Sequence, residues 1–404
     1  MEMNCALISR DGLYANISAI QERLENRCRI AAVIKGDAYG HGIGEVAVAL
    51  EKCPDVYMLV VSSLEEALLV SNRVIRKPIL ILNRIFPDAI KTALSRFDKE
   101  ERRRLISQYI FSAYRLSDIG WLEKLSEQYG CRLNVHVRLD FSSGMRGMSR
   151  DMYKDFLGEW SRVEGALICG IYAHVYSAYT DSGAAERDIR EYSQCFLALP
   201  DSLRRKLIVH LLSSVSYFCY PDAVFDMVRI GAALYGMPVE YVLGNSPPAE
   251  VRPVLSIYGT VVSCSDVGKG SRADYEGYLP DHVKRVALVS LGNWDIPGFF
   301  LNKLRGNEWG ISGTYTSGEI KQDGNTCRHV RIRDHLCRIV GSPCMDTLCV
   351  DITGISSIMP KDRVWILNNE DGIRLTDWLS HSKLGFGDCQ MLFSGMARLP
   401  KRLV

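Results

Sequence analysis

Through roughly the first 240 residues, short apolar runs rich in Val, Ile and Leu alternate with stretches whose apolar residues recur every three or four positions. The runs are RIAAVIK ending at Lys35, VYMLVVSS at Ser63, PILILN at Asn83, YIFSA at Ala113, RLNVHVRLD at Asp140, ALICGIYAH at His174, KLIVHLLS at Ser213 and DMVRIGAALYG at Gly236. Between them lie helical patterns such as SLEEALLVSNRVIR and RLSDIGWLEKLSEQYG, the second closed by Gly130 as a stop. Eight strand-then-helix units in about 240 residues fit a closed (β/α)8 barrel of the TIM type, with an open doubly wound sheet as the alternative on periodicity alone. Beyond residue 250 the helices drop out, and SIYGTVVSC, KRVALVSLG, HVRIRDHLCRIVG, TLCVDITG and DRVWILN follow one another as strands. The pattern therefore predicts an α/β chain, with an N-terminal barrel over 1–240 and a C-terminal all-β domain over 241–404. They are joined through the Pro- and Gly-bearing GMPVEYVLGNSPPAEVRP.

Composition narrows the partners. With 49 Lys and Arg against 47 Asp and Glu, the 404-residue chain has no basic field to draw in nucleic acid or a membrane surface. Small uncharged or zwitterionic ligands fit better. There is no continuous apolar segment of signal-peptide or bilayer-spanning form, and a cytoplasmic protein is expected. The 13 cysteines are odd in number, spread from Cys5 to Cys389 and never spaced as CxxC, so no metal site is expected. Most sit among apolar residues as buried thiols.

In a barrel of this kind, reactive groups gather at the C-terminal ends of the strands. Lys35 ends the first strand, followed by Gly36, Tyr39 and His41. A lysine there either snorkels from the surface or points into the mouth, where desolvation lowers its pKa and suits it to Schiff-base formation. Arg229 lies inside the last strand and needs a partner, either a carboxylate or an acceptor on a ligand. Ser213 and Ser214 end the seventh strand, and Gly231 with Ala232 permits close backbone approach beside them, the usual place of a phosphate cradle.

The segment AAVIKGDAYGHG closely resembles the pyridoxal-phosphate lysine motif of the alanine racemase family. The resemblance continues in order through SSLEEALLV, PILILN, VHVRLDFSSGMRGM, IYAHV, HLLSSVS, FDMVRIGAALYG, RPVLSIYGTVVS, VGSPCMDTLCVDITG and the terminal RLPKR. It implies pyridoxal 5'-phosphate as cofactor, a small amino-acid substrate, and a homodimer whose active sites each draw residues from both chains. It also implies that Lys35 holds the cofactor covalently and serves as base on one face of the substrate α-carbon. Tyr39, Ser214, Gly231 and Ala232 correspond to the phosphate site, Arg229 to the arginine beside the pyridine nitrogen, and His174 to the histidine near the ring. Met345 corresponds to a residue whose backbone amide meets the substrate carboxylate, and Arg146 to the arginine that supports the second catalytic group.

The departures fall on one side of the cofactor. Asn293, in LGNWDIPGFF, stands where the family places its second-base tyrosine, and an amide is no proton-transfer base. Asp295, two residues on, is the expected replacement, with Tyr275, Cys344 and Cys389 as further candidates. Arg138 takes the place of a lysine the family often carbamylates, Cys389 replaces a second phosphate tyrosine, and the stretch from Gly298 to Cys327 is longer than usual and expected to rim the entrance. Three readings stand: a pyridoxal-phosphate-dependent amino-acid racemase, an enzyme using the same scaffold for one-base chemistry such as decarboxylation, retro-aldol cleavage or β-substitution, and a non-catalytic cofactor-binding homologue.

Overall fold

The computed structural model describes residues 3–159, 168–237, 251–273, 278–296, 329–341, 343–368 and 399–404. Among them, eight parallel strands close into a barrel: β2 (Arg29–Val33), β3 (Val56–Val61), β4 (Ile79–Ile81), β5 (Tyr109–Ala113), β6 (Asn134–Arg138), β7 (Ile168–Tyr172), β8 (Ile208–Ser213) and β9 (Met227–Ile230). Each is buried along nearly its whole length. That explains the unbroken apolar runs, because a barrel strand is covered by side chains within and by helices without. The closed barrel, and not the open sheet, is what forms.

The barrel lumen is chemically divided. Ala31, Val33, Met58, Val60, Leu80, Ile110 and Met227 form an apolar cluster of their own. On the other side the buried polar groups are Ser112, His136, Arg138, His210 and Arg229, joined by the ring of Tyr172. Register sets this layering, with Tyr172 opposite Arg138 on one side and His210 on the other.

A second, mostly antiparallel sheet follows, made of β10 (Leu255–Asp266), β11 (Arg285–Val289), β12 (His329–Ile332), β13 (His335–Val340), β14 (Leu348–Asp351) and β15 (Arg363–Leu367). Because β10 pairs with both β15 and β11, these strands close on themselves. The edge is extended by β1 (Cys5–Ile8), antiparallel to β10, and by β16 (Lys401–Leu403), parallel to β1. The N-terminal strand thus belongs to the second sheet rather than to the barrel. Asn16, in the helix Arg10–Arg23, bonds the carbonyls of Leu234 and Arg252 and accepts the Arg252 amide, tying the end of the barrel to the start of β10.

Candidate active site

Lys35 stands just past the end of β2, and the chain after it turns the unusual way. Gly36, Asp37, Ala38 and Tyr39 have φ of 64°, 54°, 55° and 54°, a left-handed turn in which only the first residue is glycine. Such a turn costs about 1–2 kcal/mol per non-glycine residue. Tertiary bonds hold it. The Gly36 amide donates to Glu66 Oε1 at 2.7 Å, the Ile43 amide donates to Asp37 Oδ1 at 2.8 Å, and His41 Nδ1 lies 3.1 Å from the carbonyls of Ala38 and Tyr39. From the second sheet, Lys401 reaches Asp37 at 3.5 Å. Burial, and next the Arg138 guanidinium, hold the Lys35 amine below its ordinary pKa; Glu66 pulls the other way and Arg229 adds to the lowering. Lys35 is therefore a mouth lysine, not a surface one.

The turn brings Tyr39 over Gly231. An ideal β-carbon at position 231 would stand 2.5 Å from the Tyr39 hydroxyl, so only glycine leaves room. Ser214, first residue of the short helix Ser214–Cys219, accepts the amides of Gly231 at 3.1 Å and Ala233 at 3.4 Å through its hydroxyl. Ala232 is buried and opens the 3-10 turn Ala232–Tyr235. Hydroxyls and amides thus converge between β8 and β9 on a backbone stripped of its β-carbon, which is the donor set a phosphate needs. Together with a lysine of lowered pKa, these residues fit pyridoxal phosphate.

Arg229 has the partner that its burial demands, but that partner is neither of the two expected kinds. Its Nη1 meets His210 Nδ1 at 2.8 Å, and its Nη2 donates to the carbonyls of Ala173 at 2.6 Å and Leu211 at 3.0 Å. His210 passes the chain on, its Nε2 lying 3.0 Å from His136 Nδ1, and its ring is stacked on Tyr172 at 4.8 Å. Burial is the first cause that lowers the Arg229 pKa, to about 10, which still leaves it charged at neutral pH. His174, next along from Ala173, has its pKa pushed well down by burial and then by Arg229, Arg138, Lys35 and Arg146. Neither His210 nor His136 stood out in the sequence, since either could be a core histidine until the barrel register sets one beside the other.

Across the mouth from the cradle lies Arg138, last residue of β6. Its Nη1 donates to the Tyr114 hydroxyl at 2.8 Å, its Nη2 to the Tyr176 hydroxyl at 2.7 Å, and it packs over the rings of Tyr114 and Tyr172. Arg146 is exposed, with its guanidinium 5.3 Å from the Tyr176 ring centre. Its loop is organised by Asp140, whose carboxylate accepts from Ser142, from the amide and hydroxyl of Ser143, and from the Arg146 amide at 2.9 Å. Burial opposes charge on Asp140, but these bonds more than offset it and hold the carboxyl well below the usual range. This loop-building role was not legible from the sequence.

The remaining candidates lie on the second sheet. The loop after β11 is stitched to the one before β14, with the amides of Asn293 and Trp294 donating to the carbonyls of Cys344 and Met345, both at 2.8 Å. Asn293 Nδ2 donates to the Pro343 carbonyl. Met345 is 60% exposed at the tip, but Asp295 is fully buried, and its Oδ2 accepts the Gly292 amide at 3.1 Å. The Asp295 carboxylate thus braces its own loop through the Gly292 amide. Tyr275, Cys389 and the long stretch from 298 to 327 lie outside the described residues. Among the described residues no group of His, Cys, Asp and Glu could hold a metal ion, and no helix is long and apolar enough to cross a membrane.

The alanine racemase N-terminal domain family matches residues 8–238, and the alanine racemase C-terminal domain family matches 310–401. The alanine racemase of Syntrophobacter fumaroxidans is 27% identical over 366 residues, covering 90% of this chain and 88% of its own. That of Clostridium kluyveri is 27% identical over 372 residues, covering 91% and 85%. In fold, the chain is similar to the Bartonella henselae alanine racemase with covalently bound pyridoxal phosphate, at a TM-score of 0.75 and 19% identity with all of both chains covered. It is similar too to the Bacillus anthracis alanine racemase with bound L-Ala-P, at 0.75 and 21%, covering 100% of this chain and 95% of the other. At such identities the structural likeness speaks for the fold, but the first family match alone spans the whole barrel and more than half the sequence. With a barrel, a closed antiparallel sheet and a lysine-bearing left-handed turn in place, this chain belongs to the alanine racemase family.

Proposed function

We propose that the protein is a pyridoxal-phosphate-dependent isomerase that racemises a small amino acid. The observation that carries this reading is the convergence on one barrel mouth of a lysine with lowered pKa, a glycine-floored cradle under Tyr39, and Arg229 held at full charge. When bound, the cofactor supplies an electron sink that acidifies the α-proton of an amino acid joined to it. Lys35 would take that proton on one face through its amine. Tyr39, Ser214 and the backbone of Gly231 and Ala232 would hold the phosphate, and Arg229 would meet the pyridine nitrogen as a donor that never surrenders its own proton. His174 would stay neutral beside the ring, and Arg146, with the Met345 amide from a second copy of the chain, would receive the α-carboxylate.

In this reading, 1–240 and 241–404 are the two working parts, with the strand Cys5–Ile8 crossing into the second, and the chain works as a cytoplasmic homodimer in which the Met345 loop serves a partner's mouth. The exposed Met345 and Trp294 at that loop tip support the pairing.

One-base chemistry on the same scaffold remains the competing reading, favoured by one observation. Asn293 spends its amide on Pro343 and Asp295 braces its own loop, which favours Lys35 as a single base. Proton NMR of the cofactor-loaded protein with L-amino acids in heavy water, followed by chiral analysis, decides between the two. Racemisation exchanges the α-proton and accumulates D-enantiomer, whereas exchange with full retention, or loss of carbon dioxide, overturns it.

A further inference from the structure

Four cations share this barrel mouth, and one of them has no assigned partner in the reaction proposed above. His174 feels four cations, Arg229, Arg138, Lys35 and Arg146. In the reading above, Lys35 is committed to the cofactor, Arg229 to its ring nitrogen, and Arg146 to the α-carboxylate. The phosphate is met by the neutral donors of the cradle at β8 and β9. Arg138 is left over, and it stands on the opposite arc of the barrel, tied to groups following β4, β5 and β7.

Its surroundings are those of a site and not of a structural ion pair. Arg138 is only 8% exposed, yet its bonds run to neutral acceptors, the Tyr114 and Tyr176 hydroxyls and the Leu82 carbonyl at 3.3 Å. Its buried Nε has no hydrogen-bond partner among the described residues. A buried guanidinium without a carboxylate is expensive, and it persists in a site that an anion completes. Among the described residues, the nearby acids are engaged elsewhere. Asp140 is bound to Ser142, Ser143 and the Arg146 amide, Glu66 to the amides of Gly36 and Ser62, and Asp118 to Arg84 at 2.6 Å. The two tyrosines fix the plane of Arg138, one by its ring at 5.3 Å and both by their hydroxyls, so the fork is aimed before anything binds.

We infer that Arg138, with Tyr114 and Tyr176, forms a subsite for a second acidic group on the substrate, which makes the preferred substrate an amino acid with a side-chain carboxylate. This rests on the proposed reaction and names its substrate class.

The test uses cofactor-loaded protein in two arms. In the first, the cofactor is fixed to the enzyme by borohydride reduction, and calorimetry compares glutarate and succinate with butyrate and chloride. The dicarboxylates are expected to bind at least about tenfold more tightly than butyrate, a preference that Arg138→Gln removes and Arg138→Lys partly retains. Chloride or butyrate binding as tightly as the dicarboxylates overturns the subsite, chloride alone marking it as a place for a free ion. In the second arm, α-proton exchange is followed with L-aspartate, L-glutamate and L-alanine. An acidic amino acid is expected to exceed alanine in kcat/KM, and Arg138→Gln to lower that ratio by about 30-fold or more. Preference for alanine, or an equal loss on all three substrates, overturns the inference. If no amino acid exchanges but the reduced protein still selects dicarboxylates, the racemase reading fails and the subsite stands. The native visible spectrum and circular dichroism of each variant confirm that it is folded and loaded.

Discussion

The Tyr39 hydroxyl occupies the space a β-carbon at position 231 would need, 2.5 Å from where that carbon would stand. A left-handed turn after β2 and a bend after β9 are thereby keyed to each other across the cradle. Gly231→Ala is expected to push Tyr39 aside at about 1–3 kcal/mol of strain and to weaken pyridoxal phosphate binding by roughly tenfold or more. Fluorescence titration of the cofactor-free protein measures the affinity, and thermal melting the strain. Tyr39→Phe in the alanine background removes the clashing oxygen, so the double variant should melt above the single one. Unchanged affinity in Gly231→Ala would disprove the keying.

Lys35→Ala is expected to abolish the visible absorbance of the covalently held cofactor. It should also abolish its permanent attachment by borohydride, checked by the mass of the intact chain. Because burial and Arg138 keep the wild-type amine from holding its proton tightly, the covalent link should form near neutral pH. A Lys35→Ala protein with the full wild-type spectrum would place the attachment elsewhere.

Three buried histidines and the half-buried His174 make the fold sensitive to acid. Burial, ahead of weaker opposing bonds, lowers the His41 pKa to about 4, and burial and then Arg229 lower that of His136 to about 3. His174 and His210 are also pushed far down, by burial first and Arg229 next. An unfolded histidine titrates near about 6.5, so below that pH the unfolded chain binds protons that the native chain refuses. The stability they confer is present above about pH 6.5 and drains away as the pH falls towards 4 and 3, with a limiting slope of about 1.4 kcal/mol per pH unit for each histidine. Urea unfolding of the cofactor-free protein at pH 7, 6 and 5 should show this fall, and His41→Gln should flatten the slope by about one proton. A flat profile would mean that these rings take up protons in the native state.

Asp140→Ala is expected to loosen the Arg146 loop by removing every carboxylate bond that shapes it. If Arg146 receives the α-carboxylate, KM should rise by about tenfold or more, while cofactor affinity, set on the other arc of the barrel, stays within about twofold. Equal losses in both would make Asp140 a general stability residue.

The barrel was legible because its strands are buried on both faces, so each run such as VYMLVV or KLIVHLLS declares itself without knowledge of its neighbours. Lys35 and Ser214 were legible for a related reason, as polar residues at the ends of apolar strands, and Arg229 as a charge inside one. What escaped depends on contacts far apart in sequence. Cys5–Ile8 is a four-residue strand whose partners lie near Tyr258 and Lys401, and nothing in CALI distinguishes it from the start of a barrel. The bond between Arg229 and His210 follows from the register of β8 against β9. In the turn after Lys35 only Gly36 signals positive φ, while Asp37, Ala38 and Tyr39 adopt it because Glu66 and Ile43 hold them there.

Asp295, two positions beyond Asn293, is expected to brace its loop rather than to carry a proton. As a catalytic acid it would need to meet the substrate, and its replacement by asparagine would lower kcat by about 100-fold or more and delete one limb of the pH–rate profile. Its carboxylate is fully buried against Gly292, beneath a loop whose next residues, Asn293 and Trp294, are tied to the Cys344–Met345 segment. Gly292 itself packs so closely on that segment that a β-carbon there would lie 2.4 Å from the Asp346 amide nitrogen. Asp295 is thus expected to set the height of the Met345 tip, and so to act on substrate through it. Asp295→Asn should raise KM for the amino acid more than it lowers kcat, keep kcat within about tenfold of wild type, and leave both limbs of the pH profile in place. Steady-state kinetics across pH 6 to 10 separate the two roles, and a lost limb would return Asp295 to proton transfer through a rearranged loop.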